Sequence, residues 1–120
     1  MKRVYICSAL RGDIEGNIAK AADYCRWAMV THGVLPIAPH IYFTQFLDDT
    51  VPAERKIGMN AGLELLKDCD ELWYFGDRVT QGMVAEINMA QKLGIAVKYV
   101  DGREINMYQE WRNPYDEISM

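Results

Sequence analysis

Apolar residues in this chain come in two rhythms, short unbroken runs and longer stretches at helical spacing, and the two alternate. Residues 3–8 (RVYICS) are a β-branched and aromatic run that predicts a first strand, and 9–16 (ALRGDIEG), with two glycines and two acids, predict a loop. Ile18, Ala21, Ala22, Cys25, Ala28 and Met29 then recur at helical spacing between Asn17, a suitable N-cap, and His32, and Gly33 stops that helix. Residues 34–38 (VLPIA) predict a second strand, with Pro36 favouring an edge position or an early end. A long connection over 39–51 carries His40, Tyr42, Phe43 and Phe46, and Pro52 suits the first turn of a helix running to about Lys67. Residues 71–75 (ELWYF) predict a third strand, 76–81 a loop, 82–94 a helix closed by Gly94, and 95–100 (IAVKYV) a fourth strand. The tail, 101–120, is polar and aromatic, with room for one short strand or helical turn.

Strands alternating with helices imply right-handed crossovers and a mainly parallel sheet covered on both faces. The expected fold is therefore α/β, a Rossmann-like or flavodoxin-like three-layer sandwich with a mainly parallel sheet of four to five strands. One domain spanning 1–120 suffices for this length. Ligands in such sheets bind at the carboxyl ends of the strands. Three segments converge there: the loops after the first and second strands, and the loop before the 82–94 helix.

Glu86 breaks the pattern of that last helix. At about 100° per residue, Asn88, Gln91 and Lys92 share one side, while Gly82, Met83, Ile87, Met89, Ala90 and Leu93 cover the other. Glu86 falls near the middle of the apolar side. A desolvated carboxylate is costly, so Glu86 either has a structural partner or lines a pocket beside the helix. Gly82, four residues earlier, and Thr80 favour the pocket.

Composition narrows the function classes. Half the residues are apolar, and 13 basic against 17 acidic residues leave a net charge of −4, without the basic stripe a nucleic-acid partner needs. No secretory signal and no apolar run near 20 residues is present, so the expectation is a cytoplasmic protein with no membrane partner. Cys7, Cys25 and Cys69 are odd in number and lack ligand spacing, and read as reduced core thiols.

The first loop, Ser8-Ala9-Leu10-Arg11-Gly12-Asp13, joins a strand to a helix N-terminus, where backbone N–H groups and a dipole favour an anion and Arg11 can add a bidentate contact. Its bland alternative is a surface turn with a solvated arginine. The loop has neither the Gly-Lys-Ser/Thr of a phosphate-binding P-loop nor a dinucleotide GxGxxG. Thr80 serves as an N-cap or helps hold a phosphate, with Gly82 letting a ligand reach the backbone. Asp77 orients a substrate or pairs with Arg78. His40 forms a ring wall against a base or simply packs. No second His, Cys or carboxylate stands at ligand spacing, so neither metal nor cofactor is expected.

Together these segments resemble the nucleoside 2-deoxyribosyltransferase superfamily, including the small hydrolases that cleave the base from a nucleoside 5′-monophosphate. Residues 4–12 (VYICSALRG) are similar to its opening strand and phosphate loop, and 33–40 (GVLPIAPH) to its second strand. Residues 69–77 (CDELWYFGD) with 80–90 (TQGMVAEINMA) resemble its S/D-x-G-x-x-x-E-x-x-x-A signature. The resemblance implies cleavage or transfer of an N-glycosidic bond, with Glu86 as nucleophile, Tyr5 orienting it and Thr80 contacting phosphate or sugar. It also implies a homodimer or larger homo-oligomer, for which the apolar stretch 41–47 (IYFTQFL), with Tyr42, Phe43 and Phe46, and Trp111 and Tyr115 in the tail supply anchors. Two positions depart from the family. Thr80 replaces a Ser or Asp, and Asn60-Ala61-Gly62 stand where active members carry an Asp, leaving Asp77 as an alternative proton source. The alternative reading is a nucleotide-binding or sensor domain without chemistry.

Overall fold

The computed structural model describes residues 1–111, with side chains described through Asn106. Four strands, β1 (Arg3–Cys7), β2 (Leu35–Ile37), β3 (Glu71–Phe75) and β4 (Ala96–Val100), pair in the order β2-β1-β3-β4. Every pairing is parallel, with Tyr5 opposite Ile37 on one side and opposite Leu72 on the other. The helices are α1 (Ile14–His32), α2 (Pro39–Phe43), α3 (Pro52–Leu66), α4 (Gln81–Lys92) and α5 (Gly102–Trp111).

Alternation along the strands divides the core into two layers. Val4, Ile6, Trp73 and Phe75 point to one face, where they meet Trp27 and Ala28 of α1 and Ile105 of α5. Tyr5, Cys7 and Leu72 point to the other, where they meet Leu66 of α3 and Met83 and Ala90 of α4. The protein is thus an α/β three-layer sandwich. From β1 the chain crosses to β2 on one side and later to β3 on the other, so the crevice between β1 and β3 is the topological switch point where such folds place ligands.

Several boundaries differ from the sequence reading for local reasons. α1 begins at Ile14, because Asp13 is the N-cap and its carboxylate accepts the Gly16 N–H at 3.1 Å. A Cβ at Gly16 would lie 2.2 Å from that carboxylate, so a larger residue there would displace the Asp13 cap. Asn17, the expected cap, instead donates from its amide to the carbonyls of Leu10 and Arg11 at 2.9 and 3.3 Å, tying the first loop to the helix. Gly33 ends α1 as expected, in the left-handed region at φ 65°. The 39–51 connection contains α2, and the tail forms α5, longer than the short strand or helical turn expected there, with Ile105 buried against α1 and the sheet. Cys7, Cys25 and Cys69 are free thiols.

Candidate active site

β1 and α4 build the centre of the site. β1 sends Tyr5 and Cys7, two residues apart, to the α3/α4 face near its carboxyl end. α4 starts on Thr80, whose hydroxyl accepts the Met83 N–H at 3.3 Å, and buries Met83 and Ala90. Glu86 lies between these anchors on the same side of the helix and therefore faces β1. The Tyr5 hydroxyl donates to Oε2 of Glu86, and the Cys7 Sγ lies 3.4 Å from Oε1. Gly62 of α3 makes room for the tyrosine, since a Cβ there would stand 3.2 Å from its hydroxyl.

Burial pushes the Glu86 carboxyl up to about 7, against the opposing pull of the Tyr5 and Cys7 donors. Burial and the neighbouring Glu86 raise the Tyr5 phenol and the Cys7 thiol above their ordinary ranges, so both remain protonated donors at neutral pH. A carboxyl that titrates near neutrality beside a cavity is an arrangement typical of reactive groups.

That cavity, of about 320 Å³, has Tyr5 and Glu86 in its lining. On one wall Ser8 Oγ and His40 Nε2 are paired at 3.0 Å. Burial lowers His40 to about 4, so its imidazole is neutral at pH 7 and offers one N–H and one lone pair. On another wall the Arg55 Nη1 donates to both oxygens of Asp49 at 3.0 and 2.9 Å, and Arg11 Nε reaches Asp49 at 3.4 Å. The Arg55 guanidinium lies against the first turn of α4, its Nη2 3.7 Å from where a Cβ at Gly82 would stand, an ordinary contact distance.

Of the residues singled out in the sequence, Glu86, Tyr5, Ser8, Arg11, His40, Thr80 and Gly82 all line this cavity. Gly12 does not line it; it is exposed at φ 98° and shapes the turn into α1. Asp77 also lies elsewhere. It faces a separate hollow of about 200 Å³ with Lys20, Asp23 and Tyr24 of α1 and Ile105 of α5, on the opposite side of the sheet from Glu86. The loop after β3 therefore carries Asp77 away from the position a proton donor to the cavity would need. Asp49, Glu54 and Arg55, which the sequence reading passed over, do line the cavity. For Arg55 a signal existed. Gly58 and Gly62 stand four residues apart inside α3, where glycine costs roughly 0.5–1 kcal/mol relative to Ala, and they share a helix face with Arg55, Met59 and Leu63. Glycines at that spacing mark a face that something approaches closely.

Among the described residues, no group of three His, Cys, Asp or Glu side chains is clustered so as to hold a metal ion. No described helix is long and apolar enough to cross a membrane.

A family model described as "Domain of unknown function (DUF7768)" matches residues 2–100. No curated protein matches the sequence. Among solved structures, the chain is similar to a 2-deoxyribosyltransferase from the psychrotolerant bacterium Bacillus psychrosaccharolyticus, described as a biocatalyst for nucleoside synthesis, at 18% identity and a TM-score of 0.60. The match covers 81% of this chain and 70% of that one. At this identity the likeness establishes a shared fold.

Proposed function

The chain belongs to the DUF7768 family, and we propose that it cleaves or transfers the N-glycosidic bond of a nucleoside or nucleoside 5′-monophosphate through Glu86. The observation that carries this reading is one carboxylate, held by Tyr5 and Cys7, on the lining of the cavity at the β1/β3 switch point. The 2-deoxyribosyltransferase fold supports nucleoside chemistry at the level of architecture.

The ionised Glu86 attacks C1′ of the sugar as the C1′–N bond breaks, and the base departs with the bonding electron pair and takes up a proton. The product is a glycosyl ester of Glu86. Water or a second base then attacks C1′, breaks the ester bond and returns the free carboxylate, as in retaining glycosidases. Asp49 is committed to Arg55 and Glu54 accepts the Asp48 N–H at 3.1 Å, so the departing base takes its proton from solvent reaching the cavity. Neutral His40, with Ser8, hydrogen-bonds the base or sugar.

The Arg11, Arg55, Thr80 and Gly82 wall suits a 5′-phosphate, with Arg55 adding to the role that Arg11 was expected to fill alone. Chromatography of the protein incubated with a panel of nucleosides and monophosphates tests the reading. Release of a free base that disappears in Glu86→Gln supports it; an unchanged panel overturns it.

A further inference from the structure

Tyr5 and Cys7 hold the two oxygens of Glu86 unequally. Tyr5 Oη is a strong donor to Oε2, whereas the Cys7 thiol is a weak donor 3.4 Å from Oε1. Sγ also lies 3.9 Å from the Met83 carbonyl oxygen, one turn before Glu86 in α4. The thiol hydrogen therefore has a second acceptor when Oε1 becomes protonated or esterified. Cys7 is fully buried and its thiol is raised above its ordinary range, so it stays protonated and is no nucleophile itself.

We infer that Cys7 is a positioning residue for Glu86: it aims Oε1 into the cavity as the attacking oxygen and, as a weak donor that can turn to Met83, leaves that oxygen its nucleophilicity while Tyr5 anchors Oε2. This rests on Glu86 being the nucleophile. A serine at position 7 would place a stronger donor on Oε1, making Glu86 more acidic and slower to attack. An alanine would leave Oε1 unheld and less acidic.

Titration of the Glu86 carboxyl by 13C NMR in the full chain, for the native protein, Cys7→Ser and Cys7→Ala, tests the inference without requiring turnover. The expected midpoints rise in the order Ser, Cys, Ala, with steps of about half a pH unit, as hydrogen bonding to a charged form dictates. The acid limb of the base-release profile should move in the same order. With saturating substrate above all three midpoints, Cys7→Ser should turn over more slowly than native protein. Identical midpoints in the three proteins would overturn the inference and leave Cys7 a packing residue, because a lost core contact changes stability without moving the titration. If Cys7→Ser does not fold, the Cys7→Ala shift alone decides. Shifted midpoints with no base release in any protein would uphold the contact between Cys7 and Glu86 but overturn its role in attack, along with the proposed reaction.

Discussion

The Tyr5 hydroxyl donates to Oε2 of Glu86 across 81 residues of sequence, from the centre of β1 to the middle of α4. Tyr5 is buried and Glu86 partly so, and the phenol stays protonated because burial raises it. Tyr5 therefore steadies the ionised form of a carboxylate that desolvation disfavours. Tyr5→Phe should lower base release about 10–100-fold, the equivalent of a hydrogen bond to a charged group. It should also move the acid limb to higher pH. An unchanged profile would mean that Tyr5 acts only through packing.

Glu86 should also leave a signature in stability. Its folded value is raised to about 7 from 4.5, so the folded state binds the extra proton and the stability this confers is full below about 4.5 and lost as pH rises through 7. His40 runs the other way: with its folded value lowered to about 4 from 6.5, stability is gained as pH rises over that window. The two slopes oppose each other between 4.5 and 6.5, so the native curve alone is uninformative. The difference between Glu86→Gln and native protein isolates Glu86. Denaturant melts should show the variant gaining on the native protein from pH 4.5 to 7, by on the order of 1–3 kcal/mol, then a plateau. A flat difference would place Glu86 in full contact with solvent.

Asp49 competes with any incoming phosphate for Arg55. Calorimetry should find that a nucleoside monophosphate binds more tightly than its nucleoside, and that Arg55→Ala removes the preference, about tenfold or more. Asp49→Asn, which frees the guanidinium, should strengthen monophosphate binding and leave the nucleoside unchanged. Weaker binding of both ligands in Asp49→Asn would instead make Asp49 a sugar contact.

Tyr42 and Phe46 pack edge to face at 5.2 Å yet remain 64% and 59% exposed, and Ile57 is 58% exposed. Exposed aromatic anchors of this kind are common in interfaces. We expect a homodimer or larger assembly in solution. Light scattering that gives a 13.8 kDa particle at micromolar concentration would contradict this. The side chains of Trp111 and Tyr115, the other expected anchors, lie outside the described residues.

Much of the architecture was legible because strands and helices carry different periods. β3 lies over the expected 71–75, and Gly33 and Gly94 close their helices with positive φ. Glu86 was legible for the same reason, as a charge on an apolar helix face. Asp49 was not, because its pairing with Arg55 depends on how α2 and the following turns fold over the sheet, which no local pattern encodes. Asp77 misled because its place after β3 suggested the strand ends generally, while only packing against α1 and α5 decides which face the loop takes. Cys7 read as core, and it is core; its contact with Glu86 appears only when β1 and α4 meet.

The most direct test of Glu86 as nucleophile is intact-protein and peptide mass spectrometry after mixing with 2′-deoxynucleoside monophosphates and rapid acid quench. The account predicts a mass gain of one glycosyl group on the peptide that contains Glu86, formed together with released base and absent from Glu86→Gln. Base release at the native rate by Glu86→Gln, or a glycosyl group on any other residue, would contradict it.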